Sequence, residues 1–467
     1  MLYLGKMERW VANMQLQKQR LFTNRMLVAL IVPLVIEQAF SVLVGLVDGV
    51  MVSSVGEAAI SGVSLVNMIN NVILNLFTAL ATGGAVITSQ YLGAKDPDNA
   101  KRSAGQLVLM AAVFGVAIMA LCLVFAGALI DLFFGTITAE VRQAGLTYLR
   151  ITALSFPFIA LYNAGAAIFR SIGNSKISMR VSILMNGINV AGNAVCIYGL
   201  KMGVEGVAIP TLISRMVAAG MMLYLVTRPE MVLRLQFADV LHFRKDTIRK
   251  ILRIGVPSAA ENSLFQLGRV LVVSMISLHG TVHITANAVA NTLDSIGCIP
   301  GFAMGMAMIT VVGQCVGAGD EEQIKHYAKK LLLADYVLQG LGNILMAVFA
   351  YQCIGLYSSL SPETEDLAAT LVRIHTLCGL VLWPAGFVLP NALRAVNDVK
   401  FTLRVSMCAM ILFRLSLSWL LCVHFGWGAV GVWIAMVADW VCRTACFVPR
   451  WLPGAWKKKC GLAENRV

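Results

Sequence analysis

Apolar runs long enough to cross a bilayer recur along the whole chain, near residues 27–52, 58–92, 104–130, 144–168, 177–199, 203–227, 250–278, 285–315, 329–353, 368–392, 401–424 and 428–449. In hydrocarbon every backbone N–H and C=O must be satisfied within the protein, so a run of about 20 apolar residues folds as a helix. The expected fold is therefore an all-α membrane protein of about twelve transmembrane helices, with no room for a separate soluble domain. Composition agrees, because 58% of the 467 residues are hydrophobic and only 13% are charged, against about 25% charged in a soluble domain. The stretch Met1 to Asn24 mixes charges with Gln and lacks the apolar core of a signal peptide, so the run from Leu27 is expected to stay in the membrane.

A formal charge of +13 could point to nucleic acid, but the basic residues punctuate apolar runs instead of forming one wettable face. Nucleic acid is therefore not an expected partner; the lipid bilayer is. If the N-terminus is cytoplasmic, most of the 37 Lys and Arg fall on the cytoplasmic side, and the opposite side with its helix ends keeps only Arg142, Arg150, Lys201 and Arg373. The positive-inside rule then puts both termini in the cytoplasm. The 11 cysteines include no CxxC pair and lie mostly inside apolar runs, which suits small buried hydrophobes better than a disulfide framework or a zinc site.

The chain also matches itself at an offset of 224. Arg25/Arg249, Pro33/Pro257, Glu37/Glu261, Asn67/Asn291, Gln90/Gln314, Gly93/Gly317, Asp96/Asp320, Lys101/Lys325, Arg170/Arg394, Lys176/Lys400 and Arg180/Arg404 all obey it. Six spans separate each residue from its copy, so both halves enter the membrane in the same direction. Such parallel repeats are related by an axis along the membrane normal, with a central cavity between them. The expected organisation is a cytoplasmic segment 1–26, a six-helix bundle 27–227, a basic linker 228–249, a second bundle 250–449 and a basic tail 450–467.

An ionisable group in mid-membrane costs roughly 2.5–3.5 kcal/mol on insertion scales, so each needs a partner or a task. Asp48 lies near the outer end of the first span, and its repeat mate is Val272. Asn189 and Asn193 share one face of span 5, and Thr211 reaches a similar depth on span 6. A carboxylate ringed by amide and hydroxyl oxygens can hold a proton or a desolvated Na⁺; it can also simply tie helices together. Glu37 and Glu261 each follow a proline by four residues in both halves, which suits either a structural carboxyl or a lining of the central cavity. Arg269 and Asp294 are placed to pair between spans 7 and 8, and Asp439 and Arg443 to pair i,i+4 on span 12. Pro33, Pro157, Pro210, Pro257, Pro300, Pro384 and Pro390 each remove a helical hydrogen bond and permit bending. Among the apolar residues, Phe40, Phe77, Phe265, Phe302, Met304 and Trp383 are the candidate walls of a central substrate cavity.

Taken together, several motifs give the chain a recognisable likeness. They are Pro33 with Val47-Asp48 and Gly56, Gln90-Tyr91-Leu92-Gly93-Ala94-Lys95-Asp96, Phe169-Arg170-Ser171-Ile172-Gly173-Asn174 with Lys176, and Gly203-Val204-Glu205-Gly206-Val207-Ala208. Gly313-Gln314-Cys315-Val316-Gly317-Ala318-Gly319-Asp320 and Leu393-Arg394-Ala395-Val396-Asn397-Asp398 echo them in the second half. Over nearly its whole length the chain resembles the multidrug and toxic compound extrusion (MATE) transporters. The resemblance implies two six-helix bundles, V-shaped or closed around a central cavity, and export of small organic substrates driven by inward H⁺ or Na⁺. It places Asp48 on the family's coupling aspartate, and Asn189, Asn193, Thr211 and the Val207 carbonyl on the remaining positions of an N-terminal cation site, with Na⁺ as a possible metal at Asp48. Two departures stand out: Asn193 replaces a carboxylate frequent in one branch, and Phe265 and Trp383 occupy positions where another branch has a second acidic site. No cofactor, a monomeric state and a bacterial inner membrane are expected. A lipid-linked precursor or polysaccharide flippase of the same superfamily is the alternative, though it would call for extra spans and a basic cavity. A membrane-embedded enzyme is more remote, because HExxH, GxSxG and Walker A motifs are absent from the sequence.

Overall fold

A computed structural model of the chain describes residues 20–135, 137–357 and 360–460, with no strand among them. The start of the expected cytoplasmic segment, through residue 19, and the end of the basic tail, from residue 461, lie outside the described residues. The first half contains α1 (Asn24–Ser53), α2 (Glu57–Gly93), α3 (Pro97–Val124, continued by Ala126–Phe134), α4 (Ala139–Ala153 and Phe156–Ser171), α5 (Ser175–Gly199) and α6 (Glu205–Thr227). The second contains α7 (Lys245–Ser277), α8 (Thr281–Gly297 and Ile299–Gly317), α9 (Glu321–Val348), α10 (Pro362–Ala395), α11 (Val399–His424) and α12 (Gly428–Trp451).

Among the described residues, ten helices are by themselves long and apolar enough to span a membrane, and the bent pair in α4 makes eleven. α7 falls outside that count because Glu261, Asn262, Gln266 and Arg269 interrupt its apolar run. The element boundaries carry the sequence offset into three dimensions. Ser53 and Ser277 end α1 and α7, Glu57 and Thr281 open α2 and α8, Gly93 and Gly317 close them, and Val124 and Val348 precede breaks at Phe125 and Phe349. Asp96 and Asp320 cap α3 and α9 alike, each accepting a backbone N–H at 3.0 Å from the third residue on.

The prolines behave in two ways. Pro33, Pro210 and Pro257 sit inside unbroken helices. Pro157 follows the 47° bend of α4, Pro300 follows the interruption of α8 at Cys298, and Pro384 opens a π-turn through Val388 in α10. Leu76, the repeat mate of Pro300, keeps its N–H, and α2 accordingly runs unbroken where α8 does not.

The halves meet where α2 and α8 cross. A Cβ on Gly93 would lie 1.9 Å from the Gln314 carbonyl oxygen, and one on Gly317 would lie 1.8 Å from the Gln90 carbonyl oxygen. Only residues without a side chain allow that approach. The Gln90 amide donates to the Ala395 carbonyl at 2.8 Å, and the Gln314 amide to the Ser171 carbonyl at 2.7 Å. Every residue in one pair of contacts is the repeat mate of a residue in the other. Farther along the same interface, Gly83 abuts the Ile251 carbonyl of α7, where a Cβ would come within 2.6 Å.

The linker is more ordered than a basic tether. It contains the short helix Phe237–Leu241 and is held to α3 by Gln106, whose amide donates to the His242 carbonyl at 2.7 Å, and by the Lys101–Asp239 ion pair at 3.0 Å. It ends earlier than the expected residue 249, since α7 begins at Lys245. After α12 the chain folds back: Trp456 is buried, stacks on Trp451, and the adjacent Lys457 pairs with Glu321 at 2.6 Å.

Gly93→Val places side-chain atoms inside the Gln314 backbone and is expected to destabilise the protein by about 3 kcal/mol or more. Gly187→Ala, which meets nothing within 4 Å, is expected to stay near the wild type. Thermal unfolding of both variants in detergent checks this.

Candidate functional site

The side chains singled out on α1, α5 and α6 converge. Asp48 lies one and a half turns before the end of α1, and its Oδ1 accepts from the Asn193 amide at 2.9 Å. Asn189, one turn earlier on α5, contacts the Thr211 hydroxyl at 3.0 Å, and that hydroxyl lies 2.9 Å from the Val207 carbonyl. With the Asn189 amide turned over, its nitrogen donates to both Asp48 oxygens, at 3.2 and 3.0 Å, while its oxygen accepts from Thr211. That orientation satisfies both ends of the Asn189 amide. Asn189 and Asn193 are buried, Asp48 is partly exposed, and Asn193 Oδ1 is left without a partner.

Among the described residues, no Lys, Arg or His forms an ion pair with Asp48. The amide nitrogens of Asn189 and Asn193 face the carboxylate here; with both amides turned, their oxygens, the carboxylate, the Thr211 hydroxyl and the Val207 carbonyl would offer oxygen ligands only, which suit a hard monovalent cation and not a soft metal. Tyr148 stands behind this group, donating from its hydroxyl to Asn67 Oδ1 at 3.3 Å. On α6, Arg215, one turn beyond Thr211, donates instead to Ser155 at 2.7 Å.

Glu37 and Glu261 are tied down in equivalent ways. Glu37 accepts from Ser178 at 2.9 Å and from the Tyr162 hydroxyl at 3.4 Å, with Arg170 at 3.7 Å. Glu261 accepts from Arg394 at 2.7 Å and from Ser406 at 2.5 Å, with Arg443 at 3.9 Å. Arg170 and Arg394 are repeat mates, so one Glu–Arg pair is built into each bundle. Arg443 also binds Asp439, at 3.1 Å, as the i,i+4 spacing indicates.

The expected Arg269–Asp294 bridge does not form. Asp294 pairs with His375 of α10, while Arg269 reaches only Asn291, at 3.5 Å. The spacing along two spans could not reveal that α10 brings a histidine between them. His375 and Asp335 are mid-membrane ionisable groups that the sequence reading passes over, although their place inside apolar runs is itself the signal.

Of the candidate cavity residues, three come together in the second half. Phe265 and Trp383 flank Phe387, with ring centroids at 6.4 and 5.1 Å, and Phe302 stands edge-on to Trp383 at 5.7 Å. Phe302 is exposed, as is Phe40 on α1. Phe77 packs against Phe156 in the first bundle, and Met304 is enclosed in the core of the second; with 3% and 1% of their surface exposed, neither presents a wall to a cavity in this conformation.

A duplicated bundle of membrane-length helices, with an acid-centred polar cluster in one half and an aromatic cluster in the other, is the architecture of a membrane transporter. The sequence profile of the MatE family matches residues 33–195 and again 257–420. The two matches begin 224 residues apart, and the chain belongs to the MatE family: it is an integral, multi-pass MATE-type transporter and not an enzyme. It is 29% identical over 439 residues to the uncharacterized transporter YisQ of Bacillus subtilis, covering 92% of this chain and 94% of that one. Against the probable multidrug resistance protein NorM of Thermotoga maritima it is 25% identical over 449 residues, covering 94% and 95%. An outward-facing structure of a multidrug resistance MATE family transporter superposes with a TM-score of 0.86 at 22% identity, over 93% of this chain and 96% of that one.

Removing Glu261 leaves Arg394 buried against Asn391 alone. Glu261→Ala is therefore expected to lower stability by about 3–5 kcal/mol, seen as a large drop in the detergent melting temperature.

Proposed function

We propose that this transporter is a secondary active antiporter that exports small organic molecules in exchange for inward H⁺ or Na⁺, with Asp48 as the coupling carboxylate. The observation that carries the reading is a partly exposed acid, without a cationic partner among the described residues, bonded to Asn189 and Asn193, with the Thr211 hydroxyl and the Val207 carbonyl linked behind Asn189. An acid so placed is costly to keep charged in the membrane unless an ion or proton neutralises it. Loading Asp48 would discharge the α1–α5 contact, and unloading would restore it. A differential affinity of this kind for two states is what lets a gradient drive a conformational cycle.

The substrate side of the proposal rests on Phe302, exposed and backed by Trp383, Phe387 and Phe265, and separately on the exposed Phe40 of α1, aromatic faces suited to flat or amphipathic organic molecules. Glu37 and Glu261 enter it as supports, since arginines already engage them. NorM of Thermotoga maritima carries the name of a probable multidrug resistance protein, and MepA of Staphylococcus saprophyticus, 23% identical over 430 residues, that of a multidrug export protein. The distribution of Lys and Arg supports cytoplasmic termini, and a bacterial inner membrane is the proposed location. The transporter is proposed to work as a monomer without a cofactor.

Reconstituted protein should move ethidium, a flat organic cation, against its gradient when a pH or Na⁺ gradient is imposed across the proteoliposome. Asp48→Asn should reduce that movement to the level found without a gradient while leaving the melting temperature close to the wild type. Gradient-driven transport undiminished in Asp48→Asn would rule out the coupling role.

A further inference from the structure

The second bundle contains a polar centre that the proposed coupling site does not use. Asp294 and Cys298 lie one turn apart on α8, where that helix breaks before Pro300, and His375 faces them from α10. One ligand atom from each lies within 4.8 Å of the others. The Cys298 Sγ and Asp294 Oδ1 are 3.3 Å apart, and the His375 Nε2 touches the Asp294 carboxylate. Cys298 and His375 are almost wholly enclosed, whereas the Asp294 side chain is 24% exposed and leaves a way in. The His375 ring is held edge-on by Trp440 and Trp433, at centroid distances of 4.9 and 6.0 Å, so its orientation is fixed before anything binds.

A second observation comes from α9. Asp335 is completely buried and neither of its oxygens has a partner. Gln339 and Asn343 follow on the same face at i+4 and i+8, and their side-chain polar atoms are likewise unpartnered. The Asn343 end of this face looks onto the α8 break, with Asn343 Oδ1 3.1 Å from where a Cβ on Gly297 would stand; Gln339 lies against Gly301, and Asp335 is one turn farther along. The first half has no equivalent of this cluster: the repeat mates of Asp294, Cys298, Asp335 and His375 are Asn70, Leu74, Ala111 and Ile151.

We propose that Asp294, Cys298 and His375 bind one borderline-soft divalent transition-metal ion of the Zn²⁺ class, with water in the fourth position. Thiolate, imidazole and carboxylate together form a donor set for such an ion and a poor one for Na⁺ or Mg²⁺. Ligands at about 2.0–2.3 Å in a tetrahedron stand about 3.5 Å apart, so the present spread of at most 4.8 Å needs only a small contraction. On binding, the thiol proton leaves to bulk water and the metal–sulfur bond takes its place. One carboxylate and one thiolate match the ion's double charge, so the filled site is neutral. The ion ties α8 to α10 within one bundle.

The test uses the full-length protein in detergent with Co²⁺ as a spectroscopic substitute for Zn²⁺. A thiolate-to-cobalt charge-transfer band with tetrahedral d–d absorption is expected, saturating at one ion per chain and bleached by Zn²⁺. Cys298→Ser should abolish the charge-transfer band while Cys408→Ser, at an exposed cysteine elsewhere, retains it. His375→Asn and Asp294→Asn should each weaken binding at least about tenfold. A wild type that shows no such spectrum, or a band that survives Cys298→Ser, overturns the proposal. Should Cys298→Ser fail to fold, zinc X-ray absorption on the wild type decides: one sulfur among nitrogen and oxygen neighbours supports the site, and any other sulfur count removes it.

Discussion

The two bundles are joined by a contact that the duplication makes twice. Ser171 and Ala395 end α4 and α10, and helix ends leave carbonyls without intrahelical partners. Each is satisfied by a glutamine from the opposite half, Gln314 for Ser171 and Gln90 for Ala395. Those glutamines reach because Gly93 and Gly317 let α2 and α8 pass at backbone contact. One substitution on either helix therefore disturbs a steric contact and, through it, a hydrogen bond owed to the other half. The tightest inter-half approaches gather at these ends of α2 and α8, which makes this the natural fulcrum for motion of one bundle against the other.

Around that joint the charged residues divide by whether they repeat. Glu37 with Arg170 and Glu261 with Arg394 occur in both halves, and each acid is taken up by its arginine. Buried pairs of this sort contribute little net stability but are costly to break, which is how a frame element behaves. Asp48 has Val272 as its mate, and Asp294, Cys298, Asp335 and His375 have no titratable mates at all. These unrepeated groups are also the ones with spare oxygens, close like charges or absent partners. The ancestral unit had to fold without them, so their cost is carried for reasons outside the shared architecture.

How much of this could be read from the chain follows the same division. Periodic quantities were legible: apolar length sets the number of helices, and the offset of 224 fixes their order and even their ends, because capping residues such as Asp96 and Asp320 were copied with the helices. The grouping of Asp48 with Asn189, Asn193 and Thr211 was legible from matched depths and the i,i+4 spacing on α5. Pairings across helices were not. Depth alone made Arg269 a partner for Asp294, yet the rotation of α7 turns that arginine toward Asn291 and leaves the acid to His375. The aromatic cluster was half legible for a similar reason. Phe265, Phe302 and Trp383 were visible as large side chains, but Phe387, around which they gather, takes its position from the π-turn after Pro384.

That turn links the two classes of residue. Phe387 packs on Trp383 on one side and beneath the Arg443 guanidinium, 5.2 Å from its ring centre, on the other. Arg443 is fixed by Asp439 and by Ser406, whose hydroxyl in turn donates to Glu261. The repeated Glu–Arg frame of the second bundle thus extends, through one arginine and one ring, to the aromatic surface proposed for substrate. In the first bundle Ala218 stands where the second has Arg443, so the corresponding Glu37 network has no such extension. The asymmetry puts an anchored aromatic wall in one half and an uncommitted carboxylate in the other. A molecule and an ion bound in different bundles can then influence each other through the contacts between the halves, at the joint and where α1 packs into the second core.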